Sequence, residues 1–383
     1  MDVLDGILVL ITITLRVQCV DKVLSIHYLR GLAALAVVAF HLRPLIDNVY
    51  AQKNLGQLLF SHGDFGVDLF FIISGFIITL ATSNVSQNYI SDFIIKRTFR
   101  IYPVLIIGLV GIFFLMPNED FSNIIRSAIP LHLDYSREAP YFGYNSLITA
   151  WTLTYELYFY FIFLVAMFVS HKYRAYICSA ILVLLVLISQ LYFNGSVNFS
   201  GNAIAKIDNS SYMMALIKFS SSPMLLEFVV GMMLYEFRKV IIRVPFANII
   251  SFSLVAFVIC SFFSGYKSSH GPLNYGIWGL SLLIAALVYD SKNGIKDNKA
   301  LSFLGDISYS LYISHVLVIK FFMLHFTTFP LYSSTSGFSK FLFLMFTSLI
   351  ISYFMFVFIE KPFIKLGRKA ISSSYFVKMR VAS

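Results

Sequence analysis

Charged residues and cysteines are scarce in this sequence, and each shortage excludes a class of protein. Only 13% of the 383 residues are charged, while 58% are hydrophobic and 17% are aromatic. An average soluble domain has about 25% charged residues, and a water-soluble fold could not bury so much apolar surface, which lipid solvates readily. The three cysteines, Cys19, Cys178 and Cys260, show no disulfide or zinc spacing, so we expect no disulfide framework and no metal site.

Acidic residues are also fewer than basic ones, which leaves a net charge of +10. In a soluble protein such an excess would suggest nucleic acid as the partner. Here the basic residues lie between apolar runs, where the topology of a membrane protein explains them. We therefore expect contacts with membrane lipid and none with nucleic acid.

Apolar runs of membrane-spanning length recur along the chain. A spanning helix needs about 20 mostly apolar residues. Ten segments meet this requirement, at 24–46, 63–81, 93–115, 147–169, 174–193, 223–239, 246–264, 273–289, 303–325 and 338–360. The sequence therefore predicts an all-α, polytopic integral membrane bundle of about ten transmembrane helices, without an internal repeat or a second globular domain. One further apolar run, 6–15, is too short to span.

The distribution of basic residues predicts the orientation of the helices. With the first helix starting in the cytoplasm, the cytoplasmic segments hold 20 Lys or Arg residues and the external segments hold seven. Basic residues favour the cytoplasmic side of a membrane. We therefore expect both termini in the cytoplasm, where residues 364–383 form a basic tail.

Titratable groups within spans are costly and therefore mark candidate functional sites. In the first span, Arg30 and His41 are eleven residues apart. This spacing places them within about 20° of the same helix face and about 16 Å apart along the axis. His41 can serve as a base because imidazole titrates near neutral pH. Alternatively, Arg30 is a snorkelling anchor and His41 is a hydrogen-bonded packing residue.

Two carboxylates lie in the second and fourth predicted spans. Asp68, near the outer end of its span, either orients an imidazole or stabilises the N-terminus of its helix. Glu156 lies about nine residues from the outer side, or about 13 Å deep, where a carboxylate is expensive unless it is paired or protonated. We expect Glu156 to act together with His41, with Asp68 as the competing partner.

Arginines and aromatic residues complete the set of candidates. Arg97 and Arg100 are three residues apart at the cytoplasmic boundary of the third span, and such a fork suits bidentate binding of phosphate. Ordinary positive-inside residues are the alternative. In the ninth span, Tyr309, Tyr312 and His315 are further candidates, although hydrogen bonding between helices would explain Tyr312.

Six groups of residues, in order along the chain, resemble the elements of membrane acyltransferase family 3. They are 28–34 with His41, 66–76, 97–103, 151–160, 308–315 and 360–363. Members of this family are bacterial integral-membrane O-acyltransferases that modify surface polysaccharides. The resemblance implies a membrane acyltransferase domain over 23–363, and the segment 1–22 lies outside it.

The resemblance also implies the substrates and the location. The donor is a cytoplasmic acyl-CoA, most often acetyl-CoA, and no cofactor is bound permanently. The acceptor is a hydroxyl of a glycan such as O-antigen, exopolysaccharide or capsule, or of its lipid-linked precursor, at the bacterial inner membrane. The matching family elements imply that Arg30 with His41, and Arg97 with Arg100, handle the donor and the transfer.

These expectations combine into one mechanistic hypothesis. His41 is the general base, and Glu156 or Asp68 holds its imidazole in the productive tautomer. The arginines bind the CoA phosphates at the cytoplasmic mouth and along the path inward. A bundle with buried Glu, His and Arg would also suit a proton-coupled secondary transporter of a small solute, but the sequence lacks the paired halves typical of one.

Overall fold

The computed structural model describes residues 23–129, 131–207, 211–325 and 327–381. Within these ranges the chain is a bundle of α-helices, and none of these residues is in a β-strand. The all-α fold expected from the apolar runs is thus confirmed. The segment 1–22, with its short apolar run, lies outside the described residues.

Fifteen α-helices, α1 to α15, follow one another in the described part of the chain. They are α1 Leu24–Leu42, α2 Leu55–Phe60, α3 Phe65–Ala81, α4 Tyr89–Leu115, α5 Phe121–Ala128, α6 Trp151–Val169, α7 Arg174–Asn194, α8 Tyr212–Ser220, α9 Leu225–Ile241, α10 Ala247–Ser264, α11 Tyr275–Asn293, α12 Lys299–His325, α13 Pro330–Ser333, α14 Gly337–Met355 and α15 Lys361–Val381. Apart from α15, the helices of 17 or more residues overlap the predicted spans, whereas α15 covers most of the predicted basic tail.

Eight stretches of the described chain are long and apolar enough to cross a membrane, and a ninth results if α8 and α9 form one bent span. The two helices of that pair meet at an angle of 46°. Each of the ten predicted segments overlaps a helix, but α11 is not among the candidate spans, since it ends in the polar run 290–293. The described chain is therefore a polytopic membrane bundle of eight or nine such helices. The orientation of its termini stays a prediction.

Glycines bring the central helices into close contact. A Cβ at Gly31 of α1 would lie 2.7 Å from the backbone nitrogen of Gly305 in α12. A Cβ at Gly231 of α9 would lie 1.9 Å from the carbonyl oxygen of Ile72 in α3. Small residues allow helix backbones to approach in lipid, where dispersion and hydrogen bonds drive association. These contacts bring α1 against α12 and α9 against α3.

We call the two ends of the bundle the His41 end and the Arg97 end, after residues that lie near them. At the His41 end α1 ends and α3 begins, and at the Arg97 end α1 begins and α3 ends. At the Arg97 end, α14 continues through one π-helical turn, Phe356–Glu360, into α15. Such turns often occur at functional sites, and this one places the Glu360 side chain inside the bundle, where it is 3% exposed.

The chain between α4 and α6 packs against α8 at the His41 end, and we call these two segments the cap. The buried His132 ring lies among the rings of Phe142, Tyr155 and Phe219, at centroid distances of 5.2, 5.7 and 5.5 Å. The Lys218 ammonium donates a hydrogen bond of 2.9 Å to the carbonyl oxygen of Tyr135. The cap covers the start of α6, which carries Glu156.

Candidate active site

A cavity of about 790 Å³, including the open space at its mouth, lies between α1, α3, α4, α6 and α12. Its wall contains 17 residues, and six of the nine predicted site residues are among them. Those six are Arg30, Arg97, Arg100, Glu156, Tyr309 and Tyr312. Side chains that are far apart in the sequence thus face one space in the interior of the bundle.

Three guanidinium groups, from Arg30, Arg97 and Arg100, make this cavity strongly positive. The Arg97 guanidinium lies over the rings of Tyr160 and Phe93, at 5.3 and 5.9 Å from their centroids. Its Nε is buried and has no hydrogen-bond partner among the described residues. Buried donors are normally paired, so an anionic ligand with several acceptor oxygens would complete the site.

Glu156 is the carboxylate in the cavity wall. Its Oε1 accepts hydrogen bonds from the Ser74 hydroxyl at 3.1 Å and from the Tyr160 hydroxyl. It also interacts electrostatically with Arg30. The predicted pairing of Glu156 with His41 is therefore not what the structure shows. Ser74 lies near the middle of α3, so Glu156 sits level with the arginines and not with the end of α1.

A second carboxylate, Glu360, lies behind the wall of the cavity. Its Oε2 accepts a hydrogen bond of 2.6 Å from the Ser310 hydroxyl. It interacts electrostatically with Arg100 and Arg30, and so partly neutralises two of the three cations. Sequence reasoning missed Glu360, Ser74 and Tyr160 as site residues. The family-like run at 360–363 was the available signal for Glu360.

His41 lies just beyond this wall and contacts His315. Their ring centroids are 5.0 Å apart, and His315 Nε2 is 3.4 Å from His41 Nδ1. His41 Nδ1 is 2.9 Å from the carbonyl oxygen of Val37, and His315 Nδ1 is 2.9 Å from that of Leu311. A carbonyl only accepts, so in both rings Nδ1 carries the hydrogen. The Nε2 of neutral His41, for which the described residues provide no hydrogen-bond partner, is then available as a base.

This geometry corrects the predicted role of the carboxylates. A catalytic histidine needs a partner that holds its tautomer. The sequence predicted Glu156 or Asp68 for this task, but the backbone carbonyl of Val37 performs it for His41. Since Val37 is four residues earlier on the same helix, the helix itself supplies the acceptor that no motif could reveal.

Tyr312 separates the cavity from the two histidines. Its hydroxyl is 3.1 Å from the Thr152 hydroxyl, and its ring lies 5.6 Å from the ring of Phe70 and 6.2 Å from that of His315. Tyr312, Thr152 and Phe70 all line the cavity, whereas His315 does not. A ligand that extended from the arginines to His41 would pass Tyr312.

Asp68 belongs to a different cluster. Its Oδ2 is 2.6 Å from His270 Nδ1, and its Oδ1 accepts a hydrogen bond of 2.9 Å from the Gly271 backbone. Asp68 also lies in the first turn of its own helix, α3, where the helix dipole favours an anion. Asp68 does orient an imidazole, as one prediction held, but the imidazole is that of His270 and not of His41. The partner lies 202 residues away, in the loop between α10 and α11.

Known proteins resemble the chain over most of its length. A family model described as an acyltransferase domain matches residues 23–357, which include every residue that lines the cavity. The exopolysaccharide production protein ExoZ of Rhizobium meliloti (strain 1021) is 27% identical over 276 residues, or 68% of this chain and 78% of that protein. No solved structure matches the chain.

Proposed function

The chain belongs to the acyltransferase family whose model spans residues 23–357, and on this premise we propose that it transfers an acyl group from acyl-CoA to a glycan hydroxyl. The proposed acceptor is an exopolysaccharide or its lipid-linked precursor, because the relative described above is named for exopolysaccharide production. Acetyl is the proposed acyl group, as the sequence resemblance implies. The proposed location is the bacterial inner membrane, with the Arg97 end in the cytoplasm, as the basic residues indicate.

The observation that carries this proposal is the convergence of Arg30, Arg97 and Arg100 on one cavity that also leads toward a histidine. The phosphate groups of CoA carry several negative charges, and guanidinium groups bind such oxygens bidentately. Glu156 and Glu360 offset part of the positive charge. The cavity therefore keeps a net positive charge, which a phosphate-bearing donor would neutralise.

The transfer itself is proposed to occur beyond Tyr312, beside His41. The slender pantetheine arm of the donor would bring its thioester from the arginines to this point. His41 Nε2 then takes the proton of the acceptor hydroxyl while the oxygen attacks the carbonyl carbon. The carbon–sulfur bond breaks, and His41 returns the proton to the departing thiolate. The products are an O-acyl ester and free CoA.

We propose direct transfer without an acyl-enzyme. Cys178 and Cys260, the two cysteines among the described residues, are absent from the cavity wall. Cys178 is buried in α7 and Cys260 is exposed on α10. A base with a free Nε2 suffices to activate a sugar hydroxyl, as general bases in acyl transfer do.

The test is the reaction of the purified full-length protein in lipid nanodiscs with radiolabelled acetyl-CoA. The acceptors are oligosaccharides from an alkali-deacylated exopolysaccharide of the host strain. Wild type should release CoA and label the oligosaccharide, and His41→Ala should reduce labelling by about 100-fold or more. His325→Ala, which removes an exposed histidine at the end of α12, is the matched control. Labelling by His41→Ala at the wild-type rate would contradict the role of His41.

The same preparation distinguishes the proposed acyl transfer from the transport of a solute. If the wild-type protein consumes no acetyl-CoA with any acceptor, the proposed function is wrong. Uptake of a small solute into proteoliposomes under a pH gradient would then favour the proton-coupled transporter that the sequence left open as the alternative.

A further inference from the structure

A second histidine accompanies the proposed base, and the transfer step described above gives it no part. His315 of α12 is 0% exposed, and its ring centroid lies 5.0 Å from that of His41. Its Nε2 is 3.4 Å from His41 Nδ1, and its Nδ1 is 2.9 Å from the carbonyl oxygen of Leu311. Two imidazole rings from separate spans are thus in direct contact inside the bundle.

The hydrogens on the two Nδ1 atoms define the direction of this contact. Because the Leu311 carbonyl only accepts, His315 Nδ1 carries the hydrogen and Nε2 of the neutral ring presents a lone pair. His41 Nδ1 carries a hydrogen as well, since it faces the Val37 carbonyl. That hydrogen has two acceptors, the carbonyl oxygen at 2.9 Å and the His315 nitrogen at 3.4 Å. Shared donors of this kind are common at helix termini, and His41 lies in the last turn of α1.

Burial makes the nitrogens of His315 costly unless they have partners. Buried polar atoms are normally hydrogen-bonded, because they give up water without compensation otherwise. The Leu311 carbonyl satisfies one nitrogen of His315, and His41 satisfies the other. A side chain that only filled this space would need no nitrogen, and an apolar ring would cost less to bury.

The packing of α1 against α12 fixes the relative position of the two rings. The backbones of these helices are in close contact at Gly31. Val38 of α1 and Leu311 of α12 are both fully buried in one apolar cluster. Because α12 also contributes Tyr312 to the cavity wall, the contact with His315 ties the base to the helix that the donor would pass.

Transfer gives His41 a positive charge that its surroundings must stabilise. Its Nε2 takes the proton of the acceptor, so the ring is an imidazolium until it returns that proton to the thiolate. Glu156 and Asp68 bind other partners, and the like charge of Arg43 acts against the imidazolium. The N–H of a charged ring is the stronger donor, so the lone pair of His315 contributes most at that stage.

We propose that His315 is a positioning residue for the base. Its neutral Nε2 accepts from His41 Nδ1, holds that ring in the tautomer with Nε2 available, and stabilises the imidazolium during transfer. A hydrogen-bonded partner does the same for the histidine of a catalytic triad. His315 neither gains nor loses a proton, because the proton moves from the acceptor hydroxyl to His41 Nε2 and then to the sulfur of CoA. The inference rests on the proposed function, which makes His41 the base.

The test compares the steady-state kinetics of His315→Phe and His315→Gln with wild type in nanodiscs, with acetyl-CoA and the deacylated oligosaccharides as substrates. Phenylalanine keeps an aromatic ring without nitrogens, whereas the glutamine amide can present an acceptor oxygen near the position of Nε2. His315→Phe should lower kcat about tenfold or more, the scale of one hydrogen bond to a charged group, with both KM values unchanged. His315→Gln should recover most of that loss. His325→Phe, the same substitution at an exposed histidine of α12, is the matched control.

A double variant separates positioning from packing. If His315 acts through His41, then His315→Phe should cost little in a His41→Ala background, because the base that it supports is absent. A loss there as large as in the wild-type background would overturn the proposal. An unchanged kcat in His315→Phe would overturn it too, as would a folded His315→Gln that is as slow as His315→Phe.

A measurement without turnover distinguishes failure of this proposal from failure of the proposed function. Solid-state nitrogen NMR of protein with isotopically labelled histidine reports which ring nitrogens carry hydrogen, and His41→Ala and His315→Phe assign the two rings. Both Nδ1 atoms should carry hydrogen, and the His41 Nδ1 signal should shift in His315→Phe but not in His325→Phe. A wild type that transfers acetyl groups while this signal does not shift refutes the role of His315 and leaves the proposed function intact. A wild type that shows the shift but consumes no acetyl-CoA refutes the acyltransferase reaction, and with it the role of His315 in that reaction, while the contact itself holds.

Discussion

Arg97→Lys should raise the KM for acyl-CoA while leaving kcat nearly unchanged. Lysine keeps the positive charge and can remain above the Tyr160 ring, which lies 5.3 Å from the Arg97 guanidinium. The substitution removes the planar guanidinium group, including the buried Nε that has no hydrogen-bond partner among the described residues. A lost hydrogen bond to a charged group costs about 1.5–3 kcal/mol, which corresponds to about 10- to 150-fold in KM. The transfer step should persist, since it is proposed to occur beyond Tyr312.

The assay is CoA release at varied acetyl-CoA with saturating acceptor, together with inhibition by free CoA. Weaker inhibition by CoA should accompany the higher KM, because both report binding of the phosphates. Lys96→Gln is the matched control. Lys96 precedes Arg97 on α4, contributes equally to the positive-inside signal, and is absent from the cavity wall. Size-exclusion chromatography confirms that each variant is folded.

Two results would refute this reasoning. An unchanged donor KM in Arg97→Lys would mean that the guanidinium does not bind the donor. An equal rise in Lys96→Gln would mean that general surface charge matters and that the arginine fork does not. In that case Arg97 would be an ordinary topology determinant, the alternative that the sequence left open.

Three further predictions concern the site, the cap and the helix packing. Because Glu156 does not contact His41, the activity losses of Glu156→Gln and His41→Ala should multiply in the double variant, and a double-mutant cycle with a coupling above about 0.5 kcal/mol would contradict this. His132 should destabilise the folded protein at low pH, since burial lowers its pKa from 6.5 to about 3. The unfolded chain binds the proton first, so stability should fall as pH drops below 6.5, by up to about 1.4 kcal/mol per pH unit. Thermal unfolding at pH 7.5 and 5.0 measures this, and His132→Asn should flatten the dependence. Gly231→Ala should lower the unfolding temperature, because its Cβ would lie 1.9 Å from a carbonyl oxygen of α3. Gly111→Ala, whose Cβ would meet only a leucine methyl at 3.3 Å, should have little effect.

The positions of the helices could be predicted well because membrane insertion depends on local composition. A run of apolar residues of sufficient length forms a helix whatever its neighbours are, since lipid cannot satisfy open backbone groups. The ten predicted segments therefore all overlap helices. The number of spans was predicted less well, because the polar run 290–293 shortens the apolar part of α11 and this helix is not among the candidate spans.

The grouping of the arginines was predictable only in part. The spacing of Arg97 and Arg100 places both on one face of α4, because a helix turns by about 100° per residue. That Arg30 from α1 and Glu156 from α6 share the same cavity depends on how these helices are stacked. The family-like motifs indicated which residues matter, but not which of them meet.

The sequence by itself determined the membrane class, the helices and the residue types that carry the chemistry. These properties depend on composition and on the helical repeat, which act over short distances along the chain. Only the tertiary structure decided the partners that come from other elements: His315 for His41, Ser74 for Glu156, and His270 for Asp68. Partners of this kind depend on the relative depth and rotation of packed helices and on the course of loops. A shift of one residue along a helix rotates a side chain by about 100° and moves it by about 1.5 Å, so no pattern within a single span can specify the contact.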